Sequence, residues 1–113
     1  MSMVEKQWRF VKMLQQLVEF AEQNGYMLTL GDGYRDPRLH GGPGEKMGYG
    51  HPFSCHKLRL AQDYNLFKDG QWLSDTEDFR PLGEFWESLA PDARWGGRFS
   101  DGNHFSLEHN GRR

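Results

Sequence analysis

The chain has a single cysteine, Cys55, so no intrachain disulfide can form. Isoleucine is absent and valine occurs three times. Leu, Ile, Val and Phe together make 23 of the 113 residues, about 20%, near the level at which a chain struggles to bury enough apolar surface. Neither sign of charge dominates: 14 Lys and Arg face 16 Asp and Glu, a net charge of −2. The basic residues are scattered rather than striped, so neither nucleic acid nor an anionic membrane surface is expected as a partner. No apolar run approaches the ~18 residues that span a bilayer, and no membrane insertion is expected. The N-terminal residues lack the apolar stretch and cleavage site of a secretory signal, which predicts synthesis and retention in the cytosol.

What is present is aromatic and flexible. There are 16 aromatic residues and 14 glycines, the latter about 12% against a usual ~7%. The aromatics and the small net charge argue against disorder. The length implies one domain, 1–113, with a small aromatic core and much loop. Such a chain needs a staple beyond hydrophobic burial, and with no disulfide available a bound metal is the one to look for.

Spacing predicts a helix over 4–24. Val4, Trp8, Val11, Leu14, Leu17, Val18 and Ala21 recur at steps of three and four, and Gly25 can end the helix in the left-handed conformation. Residues 26–30 read as a short strand. The stretch 31–52 holds seven glycines and three prolines and reads as loop. A loop that long in a small domain is either functional or disordered, and whether 41–50 forms a lid is left open. Leu58 to Phe67 reads as a strand, Asp69-Gly70 as a hairpin turn, and Gln71-Trp72-Leu73 as the returning strand. Pro81 suits the first turn of a second helix with Leu82, Phe85, Trp86 and Leu89 on one face. Trp95-Gly96-Gly97 reads as a turn and 104–107 as a short alternating strand. The expected class is α+β, a small antiparallel sheet with two main helices and long loops on one side.

A catalytic zinc site takes three N, O or S ligands and keeps one position open. His56 before the middle strand, Asp63 inside it and His104 at the start of the last strand form a set of two histidines and one carboxylate. Asp101, three residues before His104, is a spare carboxylate. A carboxylate placed mid-strand is costly unless it is paired or ligates a metal. Zinc hydrolases need three ligands, a water site and a base. By spacing alone the same residues also read as a turn cap, two surface histidines and a loop aspartate.

The local words add to the spacing. Ser54-Cys55-His56-Lys57-Leu58-Arg59-Leu60-Ala61-Gln62-Asp63 resembles the S-x-H-x-x-G-x-A-x-D motif of the zinc D-alanyl-D-alanine carboxypeptidase family, which includes VanX- and VanY-type peptidases and phage L-alanyl-D-glutamate endolysins. Trp95-Gly96-Gly97 followed by Asp101-Gly102-Asn103-His104-Phe105 is similar to the family's second motif, and Gly33-Tyr34-Arg35 to its upstream G-Y-R. The three occur in family order and span most of 31–107. The resemblance implies a hedgehog/D-Ala-D-Ala carboxypeptidase-like fold, with His56, Asp63 and His104 binding Zn²⁺. It implies that Asp101 is the general base that activates water and then protonates the leaving amine. Arg35 would bind substrate or stabilise the oxyanion, and Ser54 would hydrogen-bond the substrate near its carboxylate. Two positions depart from the pattern: Arg59 replaces the motif glycine, and Phe105 stands where many members have Trp.

Other residues carry competing readings. Cys55 beside His56 is either a fourth ligand or, as its neighbour position in an extended segment favours, a packed residue. His51 reads as loop structure or a substrate contact, and His40 and His109 as solvated. Trp8, Trp72 and Trp86 read as core, and Trp95 as cleft wall or core. Asp32 and Asp36 flank Arg35, either to hold its guanidinium or to make turns. The expected function is a monomeric zinc peptidase that hydrolyses peptidoglycan stem peptides. Asp101 in place of the Glu of many carboxypeptidase members leans toward an L-alanyl-D-glutamate endopeptidase of the endolysin type, stored in the cytosol until a holin-type release lets it reach the wall. The alternatives are a D-Ala-D-Ala carboxypeptidase or dipeptidase, and a non-catalytic zinc-containing virion or cell-wall-binding module.

Overall fold

The computed structural model describes residues 2–35, 42, 44 and 54–111. In chain order these form helix α1 (Met3–Gln23), strand β1 (Tyr26–Leu30), a 3-10 turn at Cys55–Leu58, strands β2 (Ala61–Lys68) and β3 (Gln71–Leu73), a 3-10 turn at Thr76–Phe79, helix α2 (Arg80–Leu89), strand β4 (Ala93–Trp95), a 3-10 turn at Gly96–Phe99 and strand β5 (His104–Leu107). The architecture is α+β, two main helices and a five-stranded antiparallel sheet, as the sequence predicts.

Ser2 starts α1 with a reciprocal cap: its Oγ accepts from the Glu5 amide at 3.2 Å while the Glu5 carboxylate accepts from the Ser2 amide. Asn24 and Gly25 (φ 84°) end it. The buried face is rotated from the predicted one, with Leu17 and Ala21 common to both. Phe10, Met13, Leu17 and Ala21 point inward, while Val4, Val11 and Trp8 are exposed, Trp8 at 61%. At about 3.6 residues per turn two apolar stripes run along this helix, roughly a third of a turn apart. The stripe that carries Phe10 is the buried one, because Trp86 of α2 meets the Phe10 ring edge-on at 5.7 Å.

Strand β2 organises the sheet. One edge pairs with β1, Leu30 opposite Tyr64 and Tyr26 opposite Lys68. The other edge is shared, β5 taking Ala61–Asp63 and β3 taking Leu66–Lys68. Strand β4, of which the sequence reading placed only Trp95, in a turn, pairs outside β5. Strand β2 starts three residues later than predicted, because residues 55–58 coil into a turn instead of extending. The Asp69-Gly70 hairpin is as expected, with φ of 52° and 77° at its two central residues. Strand β5 is buried along its whole length rather than alternating, since Phe105 packs on Trp86 and His104 lies against Phe99.

Trp95 is fully buried and is core, not cleft wall. A Cβ at Gly83 of α2 or at Gly97 would overlap its indole ring, and its Nε1 donates to the Gly102 carbonyl at 2.7 Å. Trp86 is core as expected, whereas Trp72 is 64% exposed. No helix of the described residues is long and apolar enough to cross a membrane.

The Trp95 packing predicts a reversal of sign. Replacing a glycine inside a helix by alanine ordinarily stabilises by about 1 kcal/mol. Gly83→Ala is expected instead to destabilise by about 1–3 kcal/mol, the range for overpacking, read as a lower melting temperature.

Candidate metal centre

His56, Asp63 and His104 come from three separate pieces of chain. His56 sits on the short turn at 55–58, which Ser54 opens by accepting the His56 amide at its Oγ (3.2 Å). Asp63 lies on β2 directly opposite His104, the first residue of β5. The far edge of Asp63 is held as well: its amide donates to the Asp32 carbonyl at 2.7 Å and its carbonyl accepts the Gly31 amide at 2.9 Å. The ligand atoms of the three side chains all lie within 4.8 Å of one another.

Hydrogen-bond logic shows what the cluster fits. His56 Nδ1 is 2.8 Å from the Gly33 carbonyl, which can only accept, so Nδ1 carries the proton. In a neutral ring Nε2 then presents a lone pair to Asp63 Oδ1, 3.2 Å away. His104 Nδ1 points at the same oxygen, also at 3.2 Å. Facing lone pairs repel unless a proton or a cation lies between them. In a tetrahedral zinc site with bonds of about 2.0–2.1 Å, ligand atoms stand about 3.3 Å apart. The two spacings from the histidines to Asp63 Oδ1 are close to that value. His104 Nε2 is buried with no partner among the described residues. The carbonyl on His56 is the second contact by which metal-bound imidazoles are usually oriented.

Electrostatics agree. Burial pushes the Asp63 carboxyl up, but hydrogen bonds from His104 and His56, and then their charges, outweigh it and hold it at about 2. The group is a carboxylate throughout the physiological range. Three protein ligands are the number that catalytic zinc sites use, whereas structural sites take four. Among the described residues no fourth His, Cys, Asp or Glu joins this cluster. Cys55 is buried and donates from Sγ to the Leu107 carbonyl at 3.4 Å, so it is a packed residue, although the segment is a turn and not the extended chain that suggested this.

The remaining sequence candidates gather around the cluster. Arg35 donates from its backbone to the His56 carbonyl at 3.3 Å, and its guanidinium donates to Ser54 Oγ at 3.1 Å and pairs with Asp32 at 3.6 Å. Asp101 occupies the turn before β5, where its amide donates to the Gly96 carbonyl and its carbonyl accepts the His104 amide. Partial burial pushes the Asp101 carboxyl above its ordinary value; the charge of His104 pulls it down and that of Asp63 pushes it further up. The W-G-G word has a steric cause, because a Cβ at Gly96 would collide with the Asp101 carbonyl. His109 lies 3.5 Å from Lys6 Nζ, away from the cluster. His40, His51, Asp36 and, apart from 42 and 44, the 41–50 loop lie outside the described residues. Sequence reasoning missed the Gly33 carbonyl and the Gly31–Asp32 backbone; the only available sign was the position of these residues at the exit of β1.

Arg59 explains the departure from the motif glycine. It ends the 55–58 turn with φ 57° and ψ 33°, a left-handed conformation that costs a side-chain-bearing residue about 1–2 kcal/mol. Its guanidinium lies 3.9 Å from the centroid of the Tyr34 ring, which offsets part of that cost.

Neither the family models nor the curated proteins compared with this chain match it. The geometry itself establishes a buried His-Asp-His cluster able to coordinate a divalent metal such as Zn²⁺ in a small α+β fold.

Two outcomes are expected. Zn²⁺ at about a hundred times its dissociation constant should stabilise the metal-free protein by roughly 2–3 kcal/mol, on the order of 10 °C in melting temperature. His104→Ala should abolish that shift, as scanning calorimetry with and without chelator will show. Arg59→Ala, which keeps the strain and loses the ring contact, should be less stable than Arg59→Gly, which loses both, by about 1 kcal/mol in denaturant unfolding.

Proposed function

We propose that the protein is a zinc peptidase of the D-alanyl-D-alanine carboxypeptidase type that acts on peptidoglycan stem peptides as an L-alanyl-D-glutamate endopeptidase. The observation that carries this reading is the company the three-ligand cluster keeps. Ser54 and Arg35 adjoin His56, and Asp101 adjoins His104. A purely structural metal site has no use for a spare base or for a cationic anchor beside it.

His56, Asp63 and His104 would hold the ion. When bound, Zn²⁺ supplies Lewis-acid chemistry, acidifying water and polarising a carbonyl. Asp101 takes a proton from the attacking water onto a carboxylate oxygen and delivers it to the leaving amine nitrogen. Ser54 Oγ already accepts from Arg35 and His56, so its own proton is directed to a substrate acceptor. Arg35 binds anionic oxygen, either a substrate carboxylate or the charge that develops on the scissile carbonyl. The route to the wall in this reading is accumulation in the cytosol followed by holin-type release.

Purified peptidoglycan treated with the zinc-loaded protein should yield fragments whose mass spectra show new D-glutamate amino termini. Release of D-alanine alone would assign carboxypeptidase action instead. Retained zinc with no cleavage of any stem peptide would leave only the non-catalytic module. Asp101→Asn should lower kcat by about 10²- to 10⁴-fold while zinc content stays the same. Normal turnover in that variant would remove Asp101 from the mechanism.

A further inference from the structure

A cleft of about 250 Å³ opens next to Asp101, between the β2–β3 hairpin and the 100–103 turn. The residues that line it include Asn65, Asn103, Ser74, Ser100 and Trp72. Among the described residues, Asp101 is the only ionisable acid or base at its edge apart from the Tyr64 phenol, which burial pushes up and keeps neutral. Among the described residues no lysine or arginine lines it. The described lining is thus mostly neutral and polar, which suits a ligand rich in hydroxyl and amide groups.

Trp72 is the second observation. It stands 64% exposed on a two-stranded hairpin, opposite Phe67 in the register, although a tryptophan is among the most valuable residues to bury. The exposed ring offers one flat apolar face at the rim of a polar cleft. That pairing of an aromatic platform with amide and hydroxyl groups suits a pyranose ring, whose apolar C–H face stacks while its hydroxyl and acetamido groups hydrogen-bond.

We propose that this cleft is a subsite for the N-acetylated amino sugar to which the stem peptide is joined, with Trp72 stacking on the sugar and Asn65 and Asn103 bonding its polar groups. The inference rests on the peptidase reading above and specifies which part of the substrate the Asp101 side accepts. The sugar is attached through a lactyl group to the first stem residue, on the amino-terminal side of an L-alanyl-D-glutamate bond. The cleft and the Ser54–Arg35 pair would then receive opposite sides of that bond.

The test compares two substrates in the zinc-loaded protein: a free stem tetrapeptide and the same peptide carrying N-acetylmuramic acid. Trp72 is exposed, so Trp72→Ala should fold, which its melting temperature will verify; Asn65→Ala gives a second variant. Both should lose about tenfold in kcat/KM on the sugar-bearing substrate and keep their rate on the free peptide. Equal losses on both substrates, or no loss on either, would overturn the subsite. Cleavage of the free peptide by the unaltered protein tests the peptidase reading by itself. If neither substrate is cut, binding of N-acetylmuramyl dipeptide followed by tryptophan fluorescence decides the subsite separately. Saturable binding lost in Asn65→Ala, which keeps the Trp72 reporter, supports it, and no binding at millimolar ligand overturns it.

Discussion

Everything in this protein is arranged around one oxygen. Asp63 Oδ1 receives His56 Nε2 and His104 Nδ1 at 3.2 Å each, with the Asp63 side chain largely buried. A lone carboxylate in that position would be expensive, and a neutral His56 turned toward it with a lone pair would not repay the cost. The Gly33 carbonyl closes the alternative for His56 by claiming its Nδ1 proton. What remains on His56 is a lone pair facing Asp63 Oδ1, which only a proton or a cation can reconcile. Metal binding would therefore contribute to folding free energy, joining the 55–58 turn, β2 and β5 at a single point.

The backbone around that point is crowded, and glycine is the accommodation. A Cβ at Gly31 would press on the Asp63 carbonyl at 3.1 Å, and one at Gly96 would collide with the Asp101 carbonyl and approach His104 Cβ at 2.7 Å. These are close approaches of main chain to main chain, so the residue cannot be enlarged without moving a ligand. Arg59 shows the opposite solution: a position whose left-handed backbone favours glycine carries a long side chain and uses it against Tyr34. The G-Y-R word thus serves the site twice, through the Gly33 carbonyl and through the tyrosine that receives Arg59.

The elements with strong local signals were legible in the sequence. Gly25, Pro81 and Asp69-Gly70 fix chain conformation locally, so the two helices and the hairpin stand where their residues place them. The histidines and Asp63 were legible through the S-x-H and D-x-x-H words; spacing alone left them equally a turn cap and surface residues, since His56 lies in a turn and meets Asp63 only in the fold. What was not legible depended on partners distant in sequence. Two apolar stripes compete on α1, and only the position of Trp86 on α2 decides between them. Strand β4 is three residues long and is defined by its pairing with β5, not by its composition. Trp72 carries no local mark that distinguishes a buried indole from an exposed one.

The scarcity of branched aliphatics now has a structural answer that complements the metal. The core is a chain of rings: Phe10 on Trp86, Trp86 on Phe105, and Phe105 against Tyr64 and Phe79. Close packing requires that large groups face small ones, and here the small partner is often glycine, as where Gly83 and Gly97 receive Trp95. A ring seated against bare backbone fills the space that two mid-sized aliphatics would share. It also orients more, because the indole N–H must find an acceptor and Trp95 finds it in the Gly102 carbonyl, inside the turn that carries Asp101 toward His104. In this chain the same tryptophan therefore packs the core and fixes the approach of Asp101 to the cluster. A composition poor in isoleucine and valine and rich in glycine and aromatics is what such a coupling of core to site requires.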